Sequence, residues 1–347
     1  MKYLLILLVL LLSCLLYAEI FPQVSYTGVQ FLMIPIDARA TGMAEAYTAV
    51  SDDISSVFWN PAGLVLQPGI QAMYSQRVSR TYSSGKWTEN PDYSFMAASI
   101  FSKYGAFGVN VSYWNWKMDG WVQGESFGPS EESITYSDLT SGLTYSYQLT
   151  DQLSLGITGK YIREEIDRFV AEGQGIDLGL LFKPGFRNIS AGITAKNLGP
   201  DMRFKIDEDD DGLFDEDPFD LIDNDGDGLI DEDREEMPFK IPRMFSFGVA
   251  GEVYRLENIC LLASMQIDNN FDYKECSSIG TELQYDSLRL RSGIKMDDEA
   301  EYIPLGLGIR IAAKGLTLAL DYSYAKTKMY HYSSKSAMHN ITVKASF

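Results

Sequence analysis

The residues best placed to do chemistry are carboxylates that are concentrated in one stretch. Residues 207–236 contain seventeen Asp or Glu and a single basic residue, Arg234, so they carry a charge of −16 out of −19 for the whole chain. The remainder of the chain is close to neutral. The acidic sequence pI of about 4.5 therefore describes one segment and not the body of the protein.

The carboxylates form two units of the pattern D-x-D-x-D-G-L-x-D-E-D, which begin at Asp207 and Asp223. Three carboxylates at alternate positions can converge on one hard cation, the glycine permits a sharp turn, and the residue after it can offer its carbonyl oxygen. This oxygen-rich arrangement predicts structural Ca²⁺ sites. The candidate ligands are Asp207, Asp209, Asp211, Asp215, Asp217, Asp223, Asp225, Asp227, Asp231 and Asp233.

The two units resemble the first nine positions of an EF-hand loop and, more closely, the calcium repeats of thrombospondin type 3. They depart from the EF-hand at its twelfth position, where a bidentate Glu is replaced by Pro218 and Arg234. The alternative is a solvated acidic loop without metal. Leu213 and Leu229, in register beside the glycines, favour calcium because a disordered tract has no need of them. The ligands that could complete each shell are Asp217, Asp220, Asp233 and Glu235.

The first residues, "MKYLLILLVLLLSCLLYAEIF", have the layout of a secretory signal: one early lysine, an apolar run and a small residue at Ala18. We expect residues 1–18 to be a signal peptide cleaved after Ala18. "LLSC" also resembles a lipoprotein signal with a lipidated Cys14, but the apolar run continues beyond it. No later segment approaches the ~18 consecutive apolar residues of a membrane helix, so a membrane-embedded mature chain would cross as strands.

Beyond residue 68 the sequence divides into long segments that alternate apolar with polar or small residues, which is the period of a β-strand. Their ends are dense in Tyr, Trp and Phe, as in the aromatic girdles of outer-membrane barrels. The predicted fold class is all-β: a transmembrane antiparallel barrel of about 14 strands over residues 69–347. The strands are predicted to start near residues 69, 92, 104, 134, 152, 170, 186, 240, 257, 271, 286, 299, 315 and 335.

The connections between these strands alternate between tight turns, such as Ser102–Tyr104 and Lys183–Gly185, and mostly longer polar loops. Outer-membrane barrels place short turns in the periplasm and long loops outside the cell. The sequence therefore predicts that the first strand runs outward and that the acidic insertion, residues 201–238, is an extracellular loop.

The last nine residues, "HNITVKASF", alternate apolar and polar side chains up to Phe347. A terminal Phe on the lipid-facing set resembles the C-terminal signal by which barrel-assembly machinery recognises its clients. The expected partners therefore include that machinery and the lipid of the outer membrane.

The segment before the first strand breaks the strand period. Its alanines favour short helical turns, "SDD" at 51–53 can cap a second short helix, and Asn60-Pro61 stops that helix. The stretch "DARATGMAEAYTAVSDDISSVFWNPAGL", residues 37–64, resembles the N-terminal signature of the PorV/PorQ group of FadL-like outer-membrane barrels, with a relation to the UPF0164-type barrels. Its most specific part is the motif Asn60, Pro61, Ala62 and Gly63.

The resemblance implies a fourteen-stranded barrel in which residues 19–68 fold into the lumen as a plug. In FadL-like proteins the plug governs a sideways route for fatty acids and other hydrophobic molecules. PorV-like barrels instead receive secreted proteins in the type IX secretion system. We expect the secretion role, with hydrophobe uptake as the alternative. A helical arm on a periplasmic protein is the other interpretation of this segment.

The residues themselves favour a plugged barrel over an open porin. The predicted luminal positions are rich in Ser, Thr, Gly and Tyr and contain comparatively few Lys or Arg. Fourteen strands enclose a lumen that side chains alone cannot fill. An Ala- and Met-rich segment of some thirty residues is suitable filler.

Several function classes find no support in the sequence. The only histidines, His331 and His339, lie outside any nucleophile motif, so we expect no enzyme activity. No basic patch accompanies the acidic field, so nucleic acid is not an expected partner. The mature chain has two cysteines, Cys260 and Cys276, too few for a disulfide framework; a bond between them is left open.

The repeat generates a test of calcium binding. A peptide covering residues 205–236 should bind about two Ca²⁺ in preference to Mg²⁺, because Mg²⁺ demands a tight octahedral shell. We expect a Kd of about 10⁻⁴–10⁻³ M, as in extracellular calcium modules. Asp211→Asn with Asp227→Asn should weaken both sites in isothermal titration. If the wild-type and the doubly substituted peptide give the same weak heat without saturation, the repeat is only an acidic tract and not a calcium site.

Overall fold

A computed structural model describes most of the chain beyond its N-terminus. The described residues are 27–83, 86–89, 92–122, 128–167, 169–186, 188–206, 238–270, 275–296, 300–329 and 335–347. The predicted signal peptide and all ten candidate calcium ligands lie outside them.

Four short helical pieces precede sixteen strands. The helical pieces are a 3-10 helix at Gln30–Met33, the α-helices α1 (Ala38–Gly42) and α2 (Ser56–Trp59), and a second 3-10 helix at Pro61–Leu66. The strands are β1 (Ile70–Ser83), β2 (Lys86–Glu89), β3 (Asp92–Ser102), β4 (Gly105–Val122), β5 (Gly128–Thr150), β6 (Leu153–Ile166), β7 (Phe169–Phe182), β8 (Ser190–Leu198), β9 (Phe204–Ile206), β10 (Met244–Leu256), β11 (Ile259–Asn270), β12 (Cys276–Tyr285), β13 (Leu288–Met296), β14 (Ala300–Ala313), β15 (Leu316–Met329) and β16 (Lys335–Ser346).

Fourteen of these strands form a closed antiparallel barrel, and the predicted fold class is confirmed. Each long strand pairs with the next, and β16 returns to pair with β1 from Gln71 opposite Ser346 to Tyr82 opposite Lys335. The two short strands are not members of this ring: β2 pairs with β1, and β9 pairs with β7. At the seam, the backbone N–H of Phe347 donates to the Ile70 carbonyl at 2.8 Å. Closure leaves the long strands without a free edge, as a membrane barrel requires.

The predicted tight turns lie at one end of the barrel. Glu257-Asn258, Asp286-Ser287 and Lys314-Gly315 each join two strands with only two residues. Lys314 and Gly315 both have positive φ, 48° and 85°, as expected of a type I′ turn that matches the twist of the flanking strands. The opposite end carries the longer connections, so the predicted alternation of turns and loops is confirmed for the described strands.

The strands bury one face and expose the other. Along β15, Leu318, Leu320 and Tyr322 are exposed, whereas the alternate residues Ala319, Asp321 and Ser323 are buried. The same alternation continues through most of the long strands and gives the barrel an apolar outer surface and a polar interior, which is the pattern of a membrane-spanning barrel. Among the described residues, no helix is both long and apolar enough to span a membrane.

The two cysteines are on neighbouring strands but are far apart. Cys260, near the start of β11, opposes Gln284, whereas Cys276, at the start of β12, opposes Asp268. No disulfide joins them.

The wall between β7 and β10 is interrupted at the long-loop end. There β8 ends at Leu198, β7 continues with the short strand β9, and a single bridge pairs Met202 with Phe239. This bridge closes the base of the acidic insertion. The insertion therefore emerges from the end of the barrel that bears the longer loops.

The topology predicts which segments are accessible on intact cells. An epitope inserted within 116–133 or 210–230 should bind antibody on intact cells, because the described residues that flank each insertion point lie at the long-loop end. An epitope at Lys183–Gly185 should be reached only after the outer membrane is permeabilised. Flow cytometry of the three tagged strains measures this accessibility. The reverse labelling would mean that the barrel has the opposite orientation in the membrane.

Candidate functional site

The N-terminal segment, residues 27–68, lies in the lumen and is called the plug below. It enters at the long-loop end, where the Gly28 N–H donates to the Lys240 carbonyl at 3.0 Å. It leaves at the short-turn end, where the Val65 N–H donates to Ser146 Oγ at 3.3 Å, before passing into β1. Most of its residues are buried. The plug thus crosses the whole lumen, as the family resemblance implies.

Local side-chain contacts explain why the plug forms short helical pieces. Asp37 caps α1 by accepting from the Arg39 N–H at 3.1 Å. Asp53 accepts from both the N–H and the hydroxyl of Ser55, at 3.0 and 2.5 Å, just ahead of α2. The predicted second helix is therefore present, with Asp53 bonded to the residue that precedes it.

The motif Asn60–Gly63 ends one helix and starts the next. Asn60 Oδ1 accepts from the Ala62 N–H at 3.1 Å, and Pro61 occupies the first turn of the second 3-10 helix. Asn60 Nδ2 donates to the carbonyls of Thr48 in the plug and Leu180 in β7, at 2.9 and 3.1 Å. A Cβ on Gly63 would lie 2.0 Å from the Ser51 carbonyl oxygen, so this fold of the plug requires glycine.

Glycines on the luminal face of the wall let the plug backbone come close. A Cβ on Gly192 of β8 would lie 2.4 Å from the Thr48 carbonyl oxygen, and one on Gly280 of β12 would lie 2.2 Å from that of Met43. Neither position has room for any side chain. The other wall glycines in close contact with the plug are Gly108, Gly156, Gly179, Gly248, Gly293 and Gly306.

Polar wall side chains satisfy backbone groups that the short helices leave unpaired. Gln266 Oε1 accepts from the N–H groups of Tyr47 and Thr48, at 2.9 and 2.8 Å. Thr342 Oγ1 accepts from the Ala38 N–H at 2.8 Å. In a helix of four or five residues nearly all backbone N–H and C=O groups lack an intrahelical partner, so these wall contacts are a condition for burying the plug.

Arg39 is the centre of the largest charged cluster. Its Nε and Nη2 donate to the Glu282 carboxylate at 2.8 and 3.0 Å, and Nη1 contacts Asp52 and lies 3.1 Å from Asp53 Oδ2. Glu282 also accepts from Arg291 Nε at 2.6 Å. The guanidinium of Arg39 is almost completely buried, and removing one partner of such a buried pair costs about 3–5 kcal/mol.

Lys344 of β16 forms a second charged link between plug and wall. Its Nζ lies 2.8 Å from Asp37 Oδ2 and 2.7 Å from Asp53 Oδ2. Burial alone would raise the pKa of Asp53, but Lys344 and Arg39 outweigh burial and hold that pKa well below its usual range. Asp53 therefore stays ionised and binds two cations, one on the wall and one in the plug.

Two further cations of the wall face the plug. Lys295 of β13 pairs with Glu45 at 2.6 Å. The ammonium of Lys196 in β8 lies over two aromatic rings of the plug, 4.5 Å from the Phe58 centroid and 5.1 Å from that of Trp59. This gives the aromatic pair ahead of Asn60 a specific wall contact.

The loop-side half of the plug packs in an apolar cluster. Val29, Phe31 and Leu32 are buried among strand residues of the wall and residues at the base of the acidic insertion. A Cβ on Gly28 would lie 2.3 Å from the Phe239 ring. The start of the plug therefore contacts the residues from which the acidic insertion departs.

The sequence located the plug motif but not the wall residues that hold it. Nothing in the spacing of Glu282, Lys344 or Gln266 pairs them with plug residues more than two hundred positions away. The available signal was a charged or amide residue at a luminal position of an alternating strand. No group of three or more Asp, Glu, His or Cys suited to a metal occurs among the described residues, and the candidate calcium ligands are not among them.

Comparison with protein families gives one match, to the N-terminal part of the chain. The chain is similar over residues 22–177, from just before the plug into β7, to the family model described as "Type IX secretion system protein PorV". A search of curated protein sequences found no match.

Solved structures share the architecture at low sequence identity. A Pseudomonas aeruginosa FadL homologue has a TM-score of 0.60 and 13% identity, covering 91% of this chain and 99% of that one. The CymD monoaromatic hydrocarbon channel has a TM-score of 0.59, 10% identity and coverages of 91% and 98%. The Ralstonia pickettii toluene transporter TbuX has values of 0.58, 12%, 89% and 97%. The fold is that of a FadL-like outer-membrane barrel.

The packing of plug against wall predicts how the plug can be unseated. Gly192→Leu and Gly280→Leu should each raise ion conductance in planar bilayers, because a side chain would occupy space now held by the plug backbone. Gly159→Leu is the matched control: it lies on β6 with nothing within 4 Å of its Cβ position, so conductance should stay at the wild-type level.

Deleting residues 29–60 tests the same point without a steric argument. The barrel should still assemble, because its strand pairing does not involve the plug, and it should conduct more than the full chain. Low conductance equal to that of the wild type would show that the plug does not block the lumen.

Proposed function

We propose that this plugged outer-membrane barrel serves in protein secretion and surface attachment, as a PorV-type component of a type IX-like pathway. The observation that carries the proposal is the PorV family match over residues 22–177. That range contains the whole plug and the first strands of the barrel, where the chain has its most specific motif.

The electrostatics of the lumen support a sealed barrel. The Arg39–Glu282–Arg291 cluster and the Lys344 pairs place buried charges where a hydrophobic molecule would have to pass. Desolvated ion pairs of this kind are poor neighbours for an apolar solute. A component that presents its outer surface and loops to secreted proteins has no need of an open lumen.

Uptake of hydrophobic molecules is the alternative, by analogy with the hydrocarbon channels of the same fold. These structures are 10–13% identical to this chain in sequence, so the similarity extends only to the architecture. The family match instead points to secretion. The two roles differ in cargo and can be separated in one strain.

The acidic insertion is proposed to lie outside the cell and to hold structural calcium. The repeat of carboxylates with glycine and leucine in register supports this proposal, together with the position of the insertion's base at the long-loop end. A calcium-ordered loop there would face secreted proteins or lipopolysaccharide.

Gene deletion in the source bacterium tests the proposal. Proteins that carry a type IX C-terminal sorting domain should disappear from the cell surface and accumulate in the periplasm, as measured by surface proteomics. Complementation with the wild-type gene should restore them.

Uptake is measured in the same strains with radiolabelled long-chain fatty acid and toluene. The secretion proposal expects uptake to be unchanged by the deletion. Unchanged surface proteins together with reduced uptake would overturn it in favour of a hydrophobe channel.

A further inference from the structure

The outer, lipid-facing wall contains a groove that the plug and the family match do not explain. It crosses β4 to β8 near the middle of the strands and has a cavity volume of about 800 Å³. Its sides are apolar side chains that are exposed on the outer face: Val109, Val111, Leu143, Tyr161 and Ile176.

Small outward-facing residues form the floor of the groove. These residues are Ser141 of β5 and Gly159 of β6. The next outward-facing residues along the same strands are large: Leu143 on β5, and Ile157 and Tyr161 on β6. A Cβ on Gly159 would meet nothing within 4 Å. Missing side-chain volume at this height therefore leaves a depression in a wall that large residues otherwise cover.

The groove is backed by packed residues on the luminal side. Lys160 pairs with Asp177 at 2.7 Å and donates to Asn197 Oδ1 at 2.8 Å. Ile162 and Ile241 lie 3.6 and 3.7 Å from the Cβ position of Gly175. The groove accordingly faces the membrane.

A polar cluster lies on the loop side of the groove. The Tyr161 hydroxyl contacts the Glu172 carboxylate, and Arg163 lies 3.4 Å from Glu172 and 3.1 Å from Glu165. These side chains are farther along β6 and β7 toward the long loops. Arg163, Glu165 and Glu172 lie beside the groove, so its apolar body has a polar border on the long-loop side, which is the polarity of a lipid with its headgroup toward that side.

We propose that this groove is a binding site for one acyl chain of a membrane lipid from the leaflet on the long-loop side. Its walls are continuous with the apolar surface that contacts hydrocarbon all around the barrel, so an acyl chain is the molecule already in contact with it.

Photocrosslinking in vesicles tests the site. The full chain is reconstituted in phosphatidylcholine containing a small fraction with a diazirine on the acyl chain, and crosslinked tryptic peptides are quantified. Leu143 in the groove and Leu305 on the wall of β14 are similarly exposed, 70% and 61%. Freely diffusing lipid should label both equally, whereas a bound chain should favour the peptides carrying Leu143 and Tyr161.

Gly159→Phe fills the groove without a clash on its own strand and should abolish the excess labelling. Ala263→Phe, on the outer face of β11, is the matched control and should preserve it. Equal labelling of groove and wall peptides in the wild-type chain would overturn the proposal. Disulfide-linked dimers of a Leu143→Cys variant in vesicles would also overturn it, because a second copy of the chain would then cover the groove.

Discussion

The whole arrangement depends on the backbone of the plug lying directly against the backbone of the barrel wall. At Gly192 and Gly280 the wall offers no side chain, and carbonyl groups of the plug occupy that space. Contact this close removes water from the plug's polar groups, so each must find a protein partner. Gln266 and Thr342 supply such partners. If the wall had the glycines but lacked Gln266 and Thr342, polar groups of the plug would be buried without hydrogen bonds. If it had Gln266 and Thr342 but lacked the glycines, the plug could not come close enough to bond with them.

Charge then determines the orientation of the plug. Arg39 is bound by Glu282 of β12 and by acidic residues of the plug. Lys344 of β16, one of the two strands at the seam, binds Asp37 and Asp53. Shifting the plug by one residue would leave buried charges without partners, each worth several kcal/mol. Apolar packing alone, as around Val29 and Phe31, tolerates such shifts more readily. The ion pairs therefore make one position of the plug in the lumen much more stable than positions shifted by a residue.

The barrel could be predicted from the sequence because its main constraint is local. Lipid on one side and lumen on the other impose alternation on every strand, so strand number and turn positions follow from a period of two. The luminal contacts could not be predicted, because Arg39 meets Glu282 only after closure fixes strand tilt and register. Gly156 and Gly159 show how far alternation reaches: Gly159 has the parity of Leu155 and Ile157 and faces the membrane, whereas Gly156 has that of the polar positions and faces the plug, but alternation does not name the plug residue that it meets.

The base of the acidic insertion extends the same logic beyond the lumen. Phe239 packs on Gly28 and pairs with Met202 across the foot of the insertion, while Lys240 accepts a hydrogen bond from the first part of the plug. These residues attach the insertion to the barrel. A displacement at Phe239 would be transmitted to the start of the plug, whereas the ion pairs near the seam would keep the remainder in place. Ion pairs therefore hold the plug near the turns, and apolar packing holds it near the loops, where it meets the base of the insertion.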